Sequence, residues 1–88
     1  MDDIFRALND VTRRDILDLL RVKDGQTTSE MVAQFPNMTR FGVIKHLKVL
    51  ENASLLTAKK EGSYKYHYLN VVPLQEIADR WISLFRLP

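Results

Sequence analysis

The apolar residues change period twice along this chain, and the two changes leave few folds open. Up to about Asn52 they recur at helical spacing, from Leu55 to Leu69 they alternate, and beyond Pro73 helical spacing returns. A short β-hairpin fits the alternating stretch, with helices on both sides of it. At 88 residues the chain has room for one domain, residues 1–88. A domain of this size buries only about 60% of its unfolded surface, so its core is thin and a partner subunit would add to it.

The helical part divides at local signals. Asp2 to Leu8 reads as a first helix, with Asp2 and Asp3 at the positive end of its dipole and Ile4, Phe5 and Leu8 on one face. Asn9 or Asp10 caps a second helix, whose apolar residues Ile16, Leu17, Leu19 and Leu20 lead to about Val22. Lys23-Asp24-Gly25 then reads as a turn. Thr27-Thr28-Ser29-Glu30 carries the T-x-x-E capping box and opens a third helix that buries Met31, Val32 and Phe35, before Pro36-Asn37 breaks it. Thr39 caps a fourth helix from Arg40 to about Asn52. Val43, Leu47 and Leu50 form its core stripe, and Phe41, Ile44, Lys45 and Lys48 occupy the opposite face. Two helices joined by a short turn, the second basic on its outer face, make a helix-turn-helix over residues 27–52.

The hairpin pairs Leu55–Lys60 with Tyr64–Leu69 around Glu61-Gly62-Ser63. Alternation sets Tyr64, Tyr66 and Tyr68 on one face and Lys65, His67 and Leu69 on the other. Lys59, Lys60 and Lys65 make the tip basic, as in a wing over residues 55–69. Pro73 opens a last helix with Leu74, Ile77, Ala78, Trp81, Ile82, Leu84 and Phe85 at helical spacing. The fold class is therefore mainly α with a small β-hairpin (α+β), a winged helix-turn-helix in the order α-α-α-α-β-β-α.

Charge is concentrated where that motif lies. Residues 1–36 hold five Lys/Arg against seven Asp/Glu, whereas residues 37–70 hold six against two. A basic block on a neutral or acidic frame is the footprint of a nucleic-acid surface, and also of a merely solvated face. The chain has no cysteine and two histidines, which removes disulfides and thiolate metal sites. No nucleophile–base pair and no Gly-rich phosphate loop is present, so no enzymatic activity and no cofactor are expected. Met1-Asp2-Asp3 is acidic and no long apolar run follows. Neither a secretory signal nor a membrane span is expected, and the reading places the protein in the cytoplasm.

Three strings, in this order, resemble the ArsR family of winged-helix repressors. They are Ala7 to Leu17 (ALNDVTRRDIL), Lys45 to Leu56 (KHLKVLENASLL) and Lys60 to Leu69 (KEGSYKYHYL). The resemblance implies a homodimer paired through its first and last helices, residues 1–8 and 73–88. It also implies a near-palindromic double-stranded DNA operator and repression relieved by an inducer, whose chemistry no residue here specifies. The chain departs from the family pattern at three positions. Val11 stands where Pro is frequent, Ser54 where Gly is usual and Ser63 where the wing commonly has a basic residue. A Gly at Ser54 would take the left-handed conformation that ends the helix, which costs another residue about 1 kcal/mol.

By the same resemblance the DNA-binding residues are Thr39, Arg40, Phe41, Ile44, Lys45 and Lys48, with Lys59, Lys60, Ser63 and Lys65 on the wing. Arg40 or Lys45 would read guanine, and Phe41 and Ile44 would touch thymine methyls or else pack inward on the second or third helix. The lysines at 48, 59, 60 and 65 would meet phosphate. Arg13 and Arg14 would hold phosphate or pair with Asp10, Asp15 or Asp18. The dimer residues are Ile4, Phe5, Leu8, Ile77, Trp81, Leu84 and Phe85, an apolar patch too large for a monomer to cover. His46 is expected to be packed or phosphate-bonded, and His67 to lie on the surface. The family's metal sites use cysteines in the third helix or Asp and His pairs in the last. This chain has Thr27 to Met31 and Glu76 with Asp79 in those places, so no metal is expected. A winged-helix module that binds protein is the competing reading, supported by the apolar Phe41 and Ile44 and opposed by the basic wing.

Overall fold

Capping side chains decide where the second, third and fourth helices begin in the computed structural model, which describes residues 1–82. Helix α1 spans Asp2–Leu8 and α2 spans Val11–Val22, with the Asp10 carboxylate accepting from the Arg13 amide at 3.0 Å. A two-residue strand β1, Gln26–Thr27, runs directly into α3, Thr28–Ala33. The expected capping box is complete there: Thr27 Oγ1 accepts from Glu30 N at 3.1 Å, and Glu30 accepts from Thr27 N at 3.2 Å. Helix α4 spans Arg40–Asn52 and is capped by Thr39, whose hydroxyl accepts from Gly42 N at 3.0 Å. Strands β2 (Leu56–Glu61) and β3 (Tyr64–Leu69) form the hairpin, and α5 spans Val72–Ile77 before a π-helical turn over Ala78–Ile82.

Two differences from the sequence reading concern long-range structure. The order is α-α-β-α-α-β-β-α, because β1 adds a third strand to the hairpin. The sheet order is β1-β3-β2, with Gln26 opposite His67 and Thr27 opposite Tyr66. The third helix also stops at Ala33, and Phe35 follows it in the turn.

The core gathers on the inner stripe of α4. Val43 and Leu50 are fully buried and Leu47 is nearly so, and they meet Ala7, Ile16, Leu20, Met31, Leu55 and Leu56. The C-terminal carbonyls of α1 lack partners within their own helix. Arg13 Nε donates to Ala7 O at 2.7 Å, Arg13 Nη2 to Arg6 O at 3.2 Å, and Arg14 Nη1 to Leu8 O at 2.7 Å. These arginines were expected on phosphate or in acid pairs. Arg13 does stand 3.9 Å from Asp10, but its shorter bonds hold α1 to α2.

Helix α4 ends as the family departure at Ser54 implied. Ser54 has φ +61°, its amide bonds Glu51 O at 2.9 Å, and the Leu55 amide bonds Leu50 O at 3.0 Å. That pair of bonds is the Schellman ending, with buried Leu50 and Leu55 as its apolar contact. Left-handed backbone costs a side chain about 1–2 kcal/mol, and glycine loses about 0.4–1 kcal/mol more chain entropy on folding. Ser54→Gly is therefore expected to stabilise the protein by about 0.5–1 kcal/mol. Urea unfolding at fixed protein concentration checks this, and an unchanged or lower midpoint would contradict it.

Candidate nucleic-acid interface

One turn of α-helix takes about 3.6 residues, so Arg40, Phe41, Ile44, Lys45 and Lys48 fall on one broad arc of α4. Val43, Leu47 and Leu50 face the other way and are buried, which forces that arc outward. Phe41 is 71% exposed, so it does not pack on α2 or α3. The ammonium of Lys45 stands 5.9 Å from the centre of its ring, a cation–π distance. Ile44 is half-buried and faces the hairpin side. Arg40 leans toward α3, its Nη1 donating to Ser29 Oγ at 3.3 Å. Lys45 and Lys48 form no ion pair among the described residues.

The hairpin register separates the wing lysines. Lys60 lies directly opposite Lys65, and Lys59 opposite Tyr66, so Lys60 and Lys65 share one face while Lys59 shares the other with the tyrosines. The Lys65 face is turned toward α4, where its ammonium meets Glu51 at 3.5 Å. That pair offsets the repulsion of two lysines placed across from one another. Lys59 pairs with Glu61 at 3.1 Å. Ser63 lies exposed in the turn beside Gly62, which has φ +60°. On the outer face Tyr64 and Tyr66 meet edge to face at 6.4 Å, and Tyr68 packs over Gly25, where a Cβ would come within 2.9 Å of its ring.

The two histidines are placed differently. His46 is half-buried and its Nδ1 lies 3.1 Å from Arg13 Nη1. A guanidinium only donates, so Nδ1 accepts and the ring proton sits on Nε2. Arg13 thereby links the end of α1 to the outer helix α4.

His67, expected on the surface, is 1% exposed. Its strand face is the one that α3 and α4 cover, and its Nε2 bonds Thr28 Oγ1 at 2.8 Å. The alternation was visible in the sequence, but which face would be covered was not. Burial holds the His67 pKa below its ordinary 6.5; Glu51 on α4 pulls it up, and Lys65 pushes it down again. A histidine depressed in the fold takes up protons more readily when unfolded. Stability is then unaffected by this group above pH 6.5 and falls as pH drops below that value. Urea midpoints from pH 7.5 to 5.5 are expected to decline, with a flatter slope in His67→Gln; equal slopes would contradict the assignment.

Helix α1 and the π-helical turn come together at Phe5 and Trp81. Phe5 and Trp81 lie with ring centres 6.0 Å apart, and both stay partly exposed, at 43% and 39%. Ile82 beside them is 57% exposed, and Ile4, Leu8 and Ile77 are half-buried. Leu84 and Phe85 lie outside the described residues. Among the described residues, no helix is long and apolar enough to cross a membrane.

Relatives with this architecture are known. The chain is 40% identical over 87 residues to the uncharacterized HTH-type transcriptional regulator YuzN of Bacillus subtilis, covering 93% of this chain and 95% of that one. It is 36% identical over 85 residues to the transcriptional repressor SdpR of the same organism, covering 97% and 91%. Its fold is similar to that of an ArsR-like transcriptional regulator from Rhodococcus sp. RHA1, at a TM-score of 0.83 and 27% identity over 94% of this chain and 74% of that one. No family model matches the chain.

Proposed function

The chain belongs to the ArsR-like helix-turn-helix transcriptional regulators, a non-enzymatic class, and on that premise we propose that it is a homodimeric repressor of a near-palindromic operator. The observation that carries the reading is the outer arc of α4, where cations and exposed Phe41 project from a helix whose other face anchors the core. That arc enters the major groove. Arg40 and Lys45 reach base edges, Phe41 and Ile44 meet thymine methyls, and Lys48 meets phosphate. Thr39, whose hydroxyl is committed to the cap, positions the start of the helix. Lys60 and Ser63 follow the flanking backbone, and Lys65, paired with Glu51, adds less. Lys59, on the far face and paired with Glu61, contributes less.

The second copy covers Ile4, Phe5, Leu8, Ile77 and Trp81, together with Leu84 and Phe85. Two-fold pairing sets the recognition helices about 34–36 Å apart, one turn of DNA or a multiple. The inducer is not a metal: the chain has no cysteine, and His46 and His67 are both engaged within the fold. The protein works in the cytoplasm, where the DNA of bacteria and archaea lies.

Fluorescence anisotropy of labelled operator DNA at several salt concentrations tests this. Each phosphate contact contributes about 0.9 to the salt slope, so Lys60→Ala is expected to lower the slope by about 2 in a dimer and weaken all sequences alike. Lys59→Ala should change it little. Equal effects of the two, or an unchanged slope in both, would contradict the assignment of the wing faces. Retention on heparin at low salt separates this reading from a protein-binding module, which would elute early.

A further inference from the structure

Between α4 and the hairpin lies a cleft of about 160 Å³ that DNA reading alone does not account for. Its floor is apolar, built from Ile44 and Leu47, and Thr28 and His67 close its inner end. Its mouth carries Arg40 and Lys48, and the Lys65–Glu51 pair lies along one side. An enclosed apolar cavity of about 150 Å³ is known to take up benzene, so this volume suits a body of one ring.

His67 is the buried polar side chain in that lining. Its ring is buried, its Nε2 is taken by Thr28, and its Nδ1 has no hydrogen-bond partner among the described residues. In a neutral ring either tautomer leaves Nδ1 unsatisfied, as a bare donor or a bare acceptor.

We propose that the cleft binds a small monocarboxylate with a one-ring apolar body, and that its occupancy excludes DNA. The apolar body lies on Ile44 and Leu47, and the carboxylate meets Lys48 and Arg40 at the mouth. Lys65 is already neutralised by Glu51, so the charge left over suits one negative charge better than two. A bare phosphate would leave the apolar floor uncovered, and a cation would face Arg40 and Lys48. The ligand takes the same two cations that a DNA strand crossing the mouth would use, so the two compete. The exclusion rests on the DNA reading above, whereas the binding does not.

Benzoate is the probe. Titrated into the folded protein without DNA, it is expected to give saturable NMR shifts centred on the amides of Thr28, Ile44 and Lys48 and on the His67 ring nitrogens. A dissociation constant of about a millimolar or tighter fits a ligand of this size. Benzyl alcohol, the neutral analogue, should bind at least about tenfold more weakly, as should Lys48→Ala with benzoate. Shifts that scatter over the surface without saturating would overturn the site, and equal binding of benzyl alcohol would overturn the carboxylate. At constant ionic strength, saturating benzoate should raise the apparent Kd for operator DNA at least about fivefold. An unchanged Kd would overturn the exclusion. A protein that binds no DNA even without benzoate would mean failure of the DNA reading, with the DNA-free shifts still deciding the site.

Discussion

Trp81→Glu is expected to leave each subunit folded, convert the dimer to a monomer, and weaken binding to a two-half-site duplex by about a hundredfold or more. The side chain is 39% exposed and lies at the edge of the subunit against Phe5 and Arg80, outside the buried cluster around α4. Its loss therefore removes little from the subunit's own core. A carboxylate within the proposed apolar contact between subunits must lose its water there with little to replace it. The large effect on DNA comes from linkage. Once one half-site is occupied, the second recognition helix binds as part of the same molecule, which raises affinity by about 10²–10⁴ over a single subunit. Sedimentation, thermal unfolding and anisotropy on the same samples check the three parts. A wild-type protein that sediments as a monomer at the concentrations where it binds DNA would contradict the dimer, as would a Trp81→Glu variant that still pairs.

Leu50→Ala is the second large effect, and it acts on stability. Leu50 is fully buried on the inner stripe of α4 and closes the Schellman ending with Leu55. Truncating a buried leucine costs about 2–5 kcal/mol. A domain of this length has roughly 4–13 kcal/mol to lose, so the melting temperature should fall on the order of 10–30 °C. Phe41→Ala, nine residues earlier on the same helix, should move stability by less than about 0.5 kcal/mol, because the ring is 71% exposed. Its effect should fall on DNA affinity and on the Lys45 ammonium that stands over the ring. If Phe41→Ala destabilised the fold as Leu50→Ala does, the division of α4 into an anchoring face and a reading face would be wrong.

What the sequence made legible was local. The caps at Asp10, Thr27 and Thr39 are short-range hydrogen bonds between side chain and backbone, and they can be read from residue type and spacing. The core stripe of α4 follows from helical periodicity, and the wing turn from Gly62 between alternating runs. The features that escaped depend on pairing across the chain. Strand β1 is two residues long and exists only because β3 lies beside it, some 40 positions later. The burial of His67 needs α3 and α4 over one face of the hairpin, and alternation alone does not say which face that is. Arg13 and Arg14 were read against neighbouring acids, whereas the open carbonyls at the end of α1 take them. The basic residues of the candidate interface were all visible, but Lys59, Lys60 and Lys65 looked equivalent. The strand register and the Glu51 partner tell them apart.

Selection from a pool of randomised duplexes tests the central claim most directly, because it presupposes neither an operator nor a target gene. The folded protein should enrich two half-sites related by inversion, with centres about 10–10.5 base pairs apart or a multiple of that. Binding to the winners should survive excess bulk DNA and weaken steeply with salt. A pool that stays unenriched through repeated rounds, bound no more tightly than bulk DNA, would contradict a sequence-specific regulator.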